Sequence, residues 1–484
     1  MGTPVNTIGG STYTVASVMK DGSTPISTAS DIDDITFTAS HDGSPTSPIT
    51  ISNRWIYTYG TSADWSQKGS TGDIPQSDGF TIKGPGQPQN YTFVGTPKDG
   101  LIQTTVGANQ AYLIGNPYPS TISAARFIQD NLNATTGTLF FWEQHESANG
   151  GGDATGHYAS GYVGGYSFRN LSTGIAANQP VSGTAGLGSG NSYRAPKTYI
   201  PIGQGFFITG NGTGGTITFN NAQREYKQEG ADARFYKNGG STGANISVLK
   251  LGLDYMYQEE NTMFHRQVAI SFMEGLTFGY EPGYDSPAYD LGDTEMYWEF
   301  EGDDTPYVIA GVQPIDEDLE VPLTVLMGYT GEVSIGIDEI ENINREVFLV
   351  DKNPDGTEVS YAISDELVTL NLEQGTYQDR FIITFSGETL GNDENLWSSQ
   401  LEIYVDQDNA ELVIGNQTDT RISRLTLYNI LGQELQGWMY EEGEQSQDQM
   451  RLNIHRYLPE GIYILQIHTD QGIAEKKLHI KLKQ

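Results

Sequence analysis

The chain has 484 residues, no cysteine and a formal net charge of −35. Without cysteine there are no disulfides, thiolate metal sites or cysteine nucleophiles. The negative charge argues against nucleic acid, whose phosphates would be repelled, and against a polybasic membrane patch.

At this length several domains with real cores are expected. The 58 glycines and 28 tyrosines suit an all-β, turn-rich extracellular protein. No apolar run approaches the roughly 18 residues of a transmembrane helix. The opening Met1-Gly2-Thr3-Pro4-Val5 has neither the basic head nor the apolar stretch of a signal peptide.

Residues 1–240 read as a β-rich domain with one short helix. Ser23-Thr24-Pro25 and Gly43-Ser44-Pro45 mark turns, and residues 49–60 alternate as a strand. Residues 78–86 and 89–100 read as strands joined by a Gly/Pro turn. Trp55, Tyr57, Trp65, Phe80, Tyr91 and Phe93 are expected as core anchors, with a sugar-stacking platform as the alternative. Ser120 or Thr121 is placed to cap a helix whose apolar face includes Ile122, Ala125, Phe127 and Ile128. A strand over 137–144 then leads into a Gly-rich loop, 145–166. A second loop spans 181–197, and residues 198–210 and 215–225 return to strands.

Residues 226–243 read as a connector. Strand patterns follow at 246–256, 265–273, 305–312, 320–328, 332–337, 346–352 and 379–385. Seven or so strands with turns between them describe an Ig-like β-sandwich over 244–386. Residues 387–400 are a polar linker. The last part, 401–484, alternates at 424–430, 461–468 and 477–482, with turns at Leu431-Gly432-Gln433 and Leu458-Pro459-Glu460-Gly461. It reads as a second, smaller antiparallel sandwich. The fold class is therefore all-β and multi-domain.

Three motifs in this last part carry a resemblance. They are Leu427–Leu435 around Gly432, Leu458–Ile467 with Pro459, Gly461 and Tyr463, and Lys476–Leu482 with Lys476 and Lys477. In this order they resemble the type A C-terminal sorting domain of type IX secretion cargo. The family's Pro-Asn-Pro turn after the first strand is absent; Tyr404 is followed by Val405-Asp406-Gln407-Asp408. Further upstream, Arg54–Tyr57, Gly79–Gly84, Gly115–Ser120, Phe141-Trp142 and Ile202–Phe207 resemble a module that precedes such tails in large Bacteroidota surface proteins. The resemblance implies a secreted or outer-membrane-associated protein whose partners are the type IX translocon and shuttle proteins. It also implies an export signal upstream of residue 1, so the sequence reads as the C-terminal fragment of a longer protein.

Candidate chemistry is sparse. Residues 251–350 hold 22 Asp plus Glu against two basic residues. Asp285, Asp290, Asp293 and Glu295 fall in a Gly/Pro-shaped loop, where clustered oxygen ligands could hold Ca²⁺; the alternative is a free acidic loop. No other cofactor is expected. His145, Glu146, Asp153 and His157 share a Gly-rich loop without the close helical spacing of a zinc site. Gly239–Gly243 fits G-x-S-x-G but lacks the strand before and helix after a nucleophile elbow.

The expected function is a non-enzymatic secreted or cell-surface protein, an adhesin or structural module. The alternative is a carbohydrate-binding module or accessory region of a secreted hydrolase, with Trp65, Tyr158 and Tyr162 as glycan contacts.

Overall fold

The computed structural model describes the chain apart from residues 23–31, 61–63, 86–89, 145–163, 181–194, 228–245, 259–261, 290, 355, 364–366, 386–400, 408, 417–420, 430–432, 440–448, 456–457, 460, 470–471 and 482–484. The architecture is all-β with multiple sheets. It divides into two compact units, Met1–Gly387 and Glu388–Gln484.

In the first unit a five-stranded antiparallel sheet runs in the order Ala111–Gly115, Gly205–Gly210, Thr135–Gln144, Gly164–Arg169 and Gly174–Ile175. Successive side chains of a strand point to opposite faces, and both faces here are apolar. Tyr112, Ile114, Leu139, Phe141, Phe206 and Ile208 join one core with Phe127 and Ile128 of the helix Ala124–Asn131. Their neighbours Leu113, Phe140 and Phe207 join another, with Phe168, Ala269, Val308 and Ile309. Two covered faces explain why 111–115 and 139–142 read as continuous apolar runs.

The helix starts later than the sequence suggests. Thr121–Ser123 stay extended, paired with Tyr199–Ile200 and Arg224–Glu225. Thr121 Oγ1 donates to Glu225 O at 2.6 Å, so it cannot cap. Ser123 is the N-cap, its Oγ accepting from Arg126 N at 3.3 Å.

Residues 246–385 build the large sheet. Its path runs through Glu358–Ala362, Phe348–Lys352, Gly375–Thr384, Glu320–Met327, Glu295–Phe300, Asp303–Val312, Thr262–Phe272, Ser247–Tyr257, Gly331–Glu341 and Val368–Leu372. It closes on one core centred on Leu251, Val268, Trp298, Val321, Ile335 and Phe381. The antiparallel expectation needs one correction: Ala269–Phe272 run parallel to Ile309–Val312. A parallel pair needs a crossover of a dozen or more residues, and residues 273–302 supply it. Gln179–Pro180 pair with Thr262–Phe272, so this sheet also takes in a strand from before the expected connector.

The second unit has two antiparallel sheets. One orders Leu401–Asp406, Glu411–Asn416 and Gln449–Asn453; the other orders Glu434–Met439, Ile422–Asn429, Gly461–Thr469 and Gly472–Ile480. Leu412 and Ile414 of the first share a core with Leu425, Leu427, Leu465, Ile467, Leu478 and Ile480 of the second.

Candidate functional site

The first unit gathers aromatic rings on one face of the five-stranded sheet. Register sets Phe207 against Leu113 and Phe140, and Trp142 against Tyr166. A short hairpin, Tyr57–Tyr59 with Trp65–Gln67, pairs Tyr59 with Trp65 and packs on the same cluster through Tyr59. Trp65 meets Tyr59 at 5.0 Å and Phe207 at 6.0 Å, both edge-on. Phe207 meets Tyr166 at 5.9 Å, and Tyr166 meets Trp142 at 5.2 Å and Tyr289 at 5.1 Å. Such edge-to-face contacts suit the ring quadrupole. The result is a continuous strip from Trp65 to Trp142. Trp65 remains 45% exposed, and Trp142 and Tyr289 44% each.

A cavity of about 620 Å³ opens beside this strip. Tyr59, Phe140 and Tyr289 supply its aromatic wall, and Asn109, Thr136 and Thr209 its polar groups; small residues fill the rest. Gln110 also lines it but serves the scaffold: its Nε2 donates to Gly60 O at 2.6 Å and its Oε1 accepts from Gly107 N at 3.1 Å. Thr136 Oγ1 is buried with no hydrogen-bond partner among the described residues. Asn109 sits in the left-handed region at φ 52°, on the turn before Ala111–Gly115. The described lining holds no carboxylate, imidazole, amine or guanidinium.

The segment carrying Tyr289 is pinned to the sheet. Gly283 N donates to Thr136 O at 3.0 Å, and Leu171 N donates to Gly283 O at 2.8 Å. Asn170 Nδ2 donates to Tyr284 O at 2.6 Å, and Thr138 Oγ1 to Ser286 Oγ at 2.9 Å. The approach needs glycine: a Cβ at Gly137 would stand 2.5 Å from Gly283 Cα, and Gly137 has φ +81°.

Of the candidate Ca²⁺ ligands, the described Asp285, Asp293 and Glu295 are not brought together as a metal-holding group. Asp285 is buried; its Oδ1 accepts from Gly311 N at 2.7 Å and its Oδ2 from Glu281 N at 2.6 Å. Burial pushes its pKa up to about 7 against these two hydrogen bonds. Glu295 lies on a strand, ion-paired to Arg266 at 2.7 Å with both side chains 2% exposed. Asp293 is exposed, and Asp290 lies outside the described residues. Among the described residues no group of three or more His, Asp or Glu could hold a metal ion. The physical reason is that both turn inward, Asp285 to two backbone N–H groups and Glu295 to the buried charge of Arg266. Tyr158 and Tyr162, His145, Glu146, Asp153, His157 and Gly239–Gly243 also lie outside the described residues.

Two buried polar clusters escape sequence reasoning. His265 is held between Asp254 (Nδ1 to Oδ1, 2.6 Å) and Asp338 (Nε2 to Oδ2, 2.9 Å), and Gln267 Nε2 donates to Asp338 at 2.6 Å. Burial alone would lower its pKa, but the two carboxylates carry it up to about 9. Alternation within 262–272 could have paired His265 with Asp254, its register partner; nothing local points to Asp338. Lys98 is buried over the Tyr13 ring at 4.5 Å and donates to Thr3 O at 2.9 Å and Gln76 O at 2.7 Å. Burial lowers its pKa to about 7.

In the second unit the motif residues form a clamp. Leu458 packs against the core, Pro459 is exposed, and the Tyr463 hydroxyl donates to Pro459 O at 2.6 Å. Gly461 opens the hairpin opposite Ile480. Lys476 and Lys477 lie on the edge strand Gly472–Ile480, where the exposed charge of Lys476 discourages strand addition. Gly432 lies outside the described residues. Where the Pro-Asn-Pro turn is missing, Asp406 organises the turn instead, accepting from Asn409 N at 3.2 Å and Nδ2 at 2.9 Å.

Residues 30–385 match the family described as Domain of unknown function (DUF8693). That is well over half of the chain. The chain belongs to the DUF8693 family. The DUF8693 region includes both the five-stranded and the large sheet, and every cleft residue named above. Residues 400–481 match the secretion system C-terminal sorting domain. With this tail behind its DUF8693 region, the chain is type IX secretion cargo, a secreted or cell-surface protein that interacts with the type IX machinery. No curated protein matches the chain. Among the described residues, no helix is long and apolar enough to cross a membrane.

Proposed function

We propose that this is a non-enzymatic surface-recognition protein of the adhesin kind: residues 1–387 are the passenger and 401–484 the export signal. The observation that carries the reading is the aromatic cleft. Half-exposed Tyr289 lines the cavity and half-exposed Trp65 adjoins it through Tyr59, and the described lining holds no carboxylate, imidazole, amine or guanidinium, an arrangement that suits contact. Tyrosine and tryptophan give large contact area at low entropy cost. Translocon and shuttle proteins would recognise the tail. The large sheet closed around the core of 246–385, and the two sheets of the tail, are each read as an Ig-like sandwich, since in both cases one apolar core is enclosed by alternating strands.

The reading is tested with beads coated with the full chain and washed over bacterial, host-cell and extracellular-matrix surfaces. Retention on one surface, lost in the Trp65→Ala/Tyr289→Ala double variant, is the expected result. No retention above uncoated beads on any surface, or retention indifferent to the double variant, would overturn it.

A further inference from the structure

We infer that the cleft beside Trp65 binds a neutral saccharide, one pyranose ring entering the cavity and its neighbour lying against Trp65. The inference rests on the surface-recognition reading above and names its ligand. Four properties of the site select this chemistry.

The first is charge. No cationic side chain lies among the described lining residues, and the chain carries a net −35. A phosphate, a sulfated glycan or a uronate would meet repulsion and no counter-charge. No carboxylate lies among the described lining residues either, so a cationic ligand would lose its water without a partner. The second is the free polar groups. Asn109 and Thr209 present their polar side chains in the lining. An aliphatic ligand would leave these groups desolvated, at a cost of roughly 1–3 kcal/mol each. A ligand dense in hydroxyls would satisfy them.

The third is the aromatic wall. A pyranose presents a face of C–H groups with slight positive charge, which complements the negative face of a Tyr or Trp ring. Tyr59 and Tyr289 line the cavity, and Trp65 adjoins it through its 5.0 Å contact with Tyr59. The fourth is size and rigidity. About 620 Å³ lies within the ~300–1,000 Å³ of small-molecule sites. The hydrogen bonds of Gly283, Tyr284 and Ser286 hold the Tyr289 segment in place before any ligand arrives, which limits the entropy lost on binding.

The test uses the full chain. It is screened on an array of neutral oligosaccharides (gluco-, manno-, galacto- and xylo-configured) and acidic ones (oligogalacturonate, heparin fragments), and any hit is titrated calorimetrically. The expected result is binding to a neutral oligosaccharide and to no acidic one. Trp65→Ala and Tyr289→Ala should each weaken it about tenfold or more. Asn109→Gly keeps the left-handed backbone while removing the amide, and should weaken binding about three- to tenfold. Tyr404→Ala, an exposed aromatic of the second unit (42% exposed), should leave it unchanged. Circular dichroism and unfolding midpoints verify that each variant is folded; Asn109→Gly, on an exposed turn, keeps the test open should Trp65→Ala unfold.

Binding that all three cleft variants leave intact would overturn the assignment. So would binding confined to acidic glycans. If no saccharide binds while coated beads still adhere through Trp65 and Tyr289, the ligand class is wrong and the recognition reading stands. If neither binding nor adhesion is seen, both fail.

Discussion

The five-stranded sheet and the four-stranded sheet of the tail use the same alternation to different ends. In the tail hairpin 461–480, Tyr463, Leu465 and Ile467 are buried while the intervening Ile462 is 49% exposed. One face has a core and the other has water. In the five-stranded sheet both faces are covered, so the adjacent Phe206 and Phe207 are 1% and 7% exposed. Among the described residues the second cover is incomplete, and the cleft opens beside the aromatic strip that extends past it. An apolar residue on a strand therefore acquires meaning only when the layers on both sides are known.

Predictions follow from that contrast, the largest effect first. Glu295→Ala should cost about 3–5 kcal/mol, because it leaves the Arg266 guanidinium buried without its counter-charge; chemical denaturation of the full chain measures it. Phe206→Ala and Phe207→Ala should each cost about 3–5 kcal/mol, as both faces are packed. The matching pair in the tail should split: Ile467→Ala about 2–5 kcal/mol, Ile462→Ala within about 0.5 kcal/mol. Equal costs for the tail pair, or a harmless Phe207→Ala, would break the comparison.

The Asp254–His265–Asp338 cluster gives a pH-dependent prediction. The folded-state pKa of about 9 lies above the ordinary 6.5. The stabilisation is therefore fully present below pH 6.5 and is lost as pH rises through 9, to a total of about 3 kcal/mol. Lys98 and Asp285 titrate near the same range, so the difference between the native protein and His265→Gln isolates the effect. That difference should be large at pH 6 and shrink by pH 9.5; a difference flat over this range would refute it. The smallest effect is expected from Tyr463→Phe, which removes one hydrogen bond to Pro459 O and should cost about 0.5–1.5 kcal/mol.

Much of this organisation was legible in the sequence. The tail strands followed from alternation, and its three motifs led to the sorting assignment. The strand at 137–144 and the helix after Pro119 were also visible, although the helix cap was misplaced because Thr121 pairs with Glu225 far along the chain. Trp65 was singled out, yet Tyr289, Asn109 and Thr136 were not. They reach the same cavity only through strand pairing and the Gly137–Gly283 approach, which no local pattern records. The inward turn of Asp285 and Glu295 is hidden from the sequence for a related reason. Charge density reads as a solvated or metal-binding surface, whereas Asp285 and Glu295 turn inward to backbone donors and to Arg266.

The proposed function divides the labour between two units: the tail would deliver the protein and the cleft would recognise a surface. The most direct test expresses three versions in a type IX-competent cell, each behind a signal peptide for inner-membrane export: the full chain, a chain without 401–484, and the Trp65→Ala/Tyr289→Ala variant. Surface delivery and adhesion are then scored separately. The account predicts that loss of the tail abolishes delivery, whereas the cleft variant is delivered at the full level and fails to adhere. A cleft variant that adheres like the full chain, or a tailless chain that still reaches the surface, would contradict it.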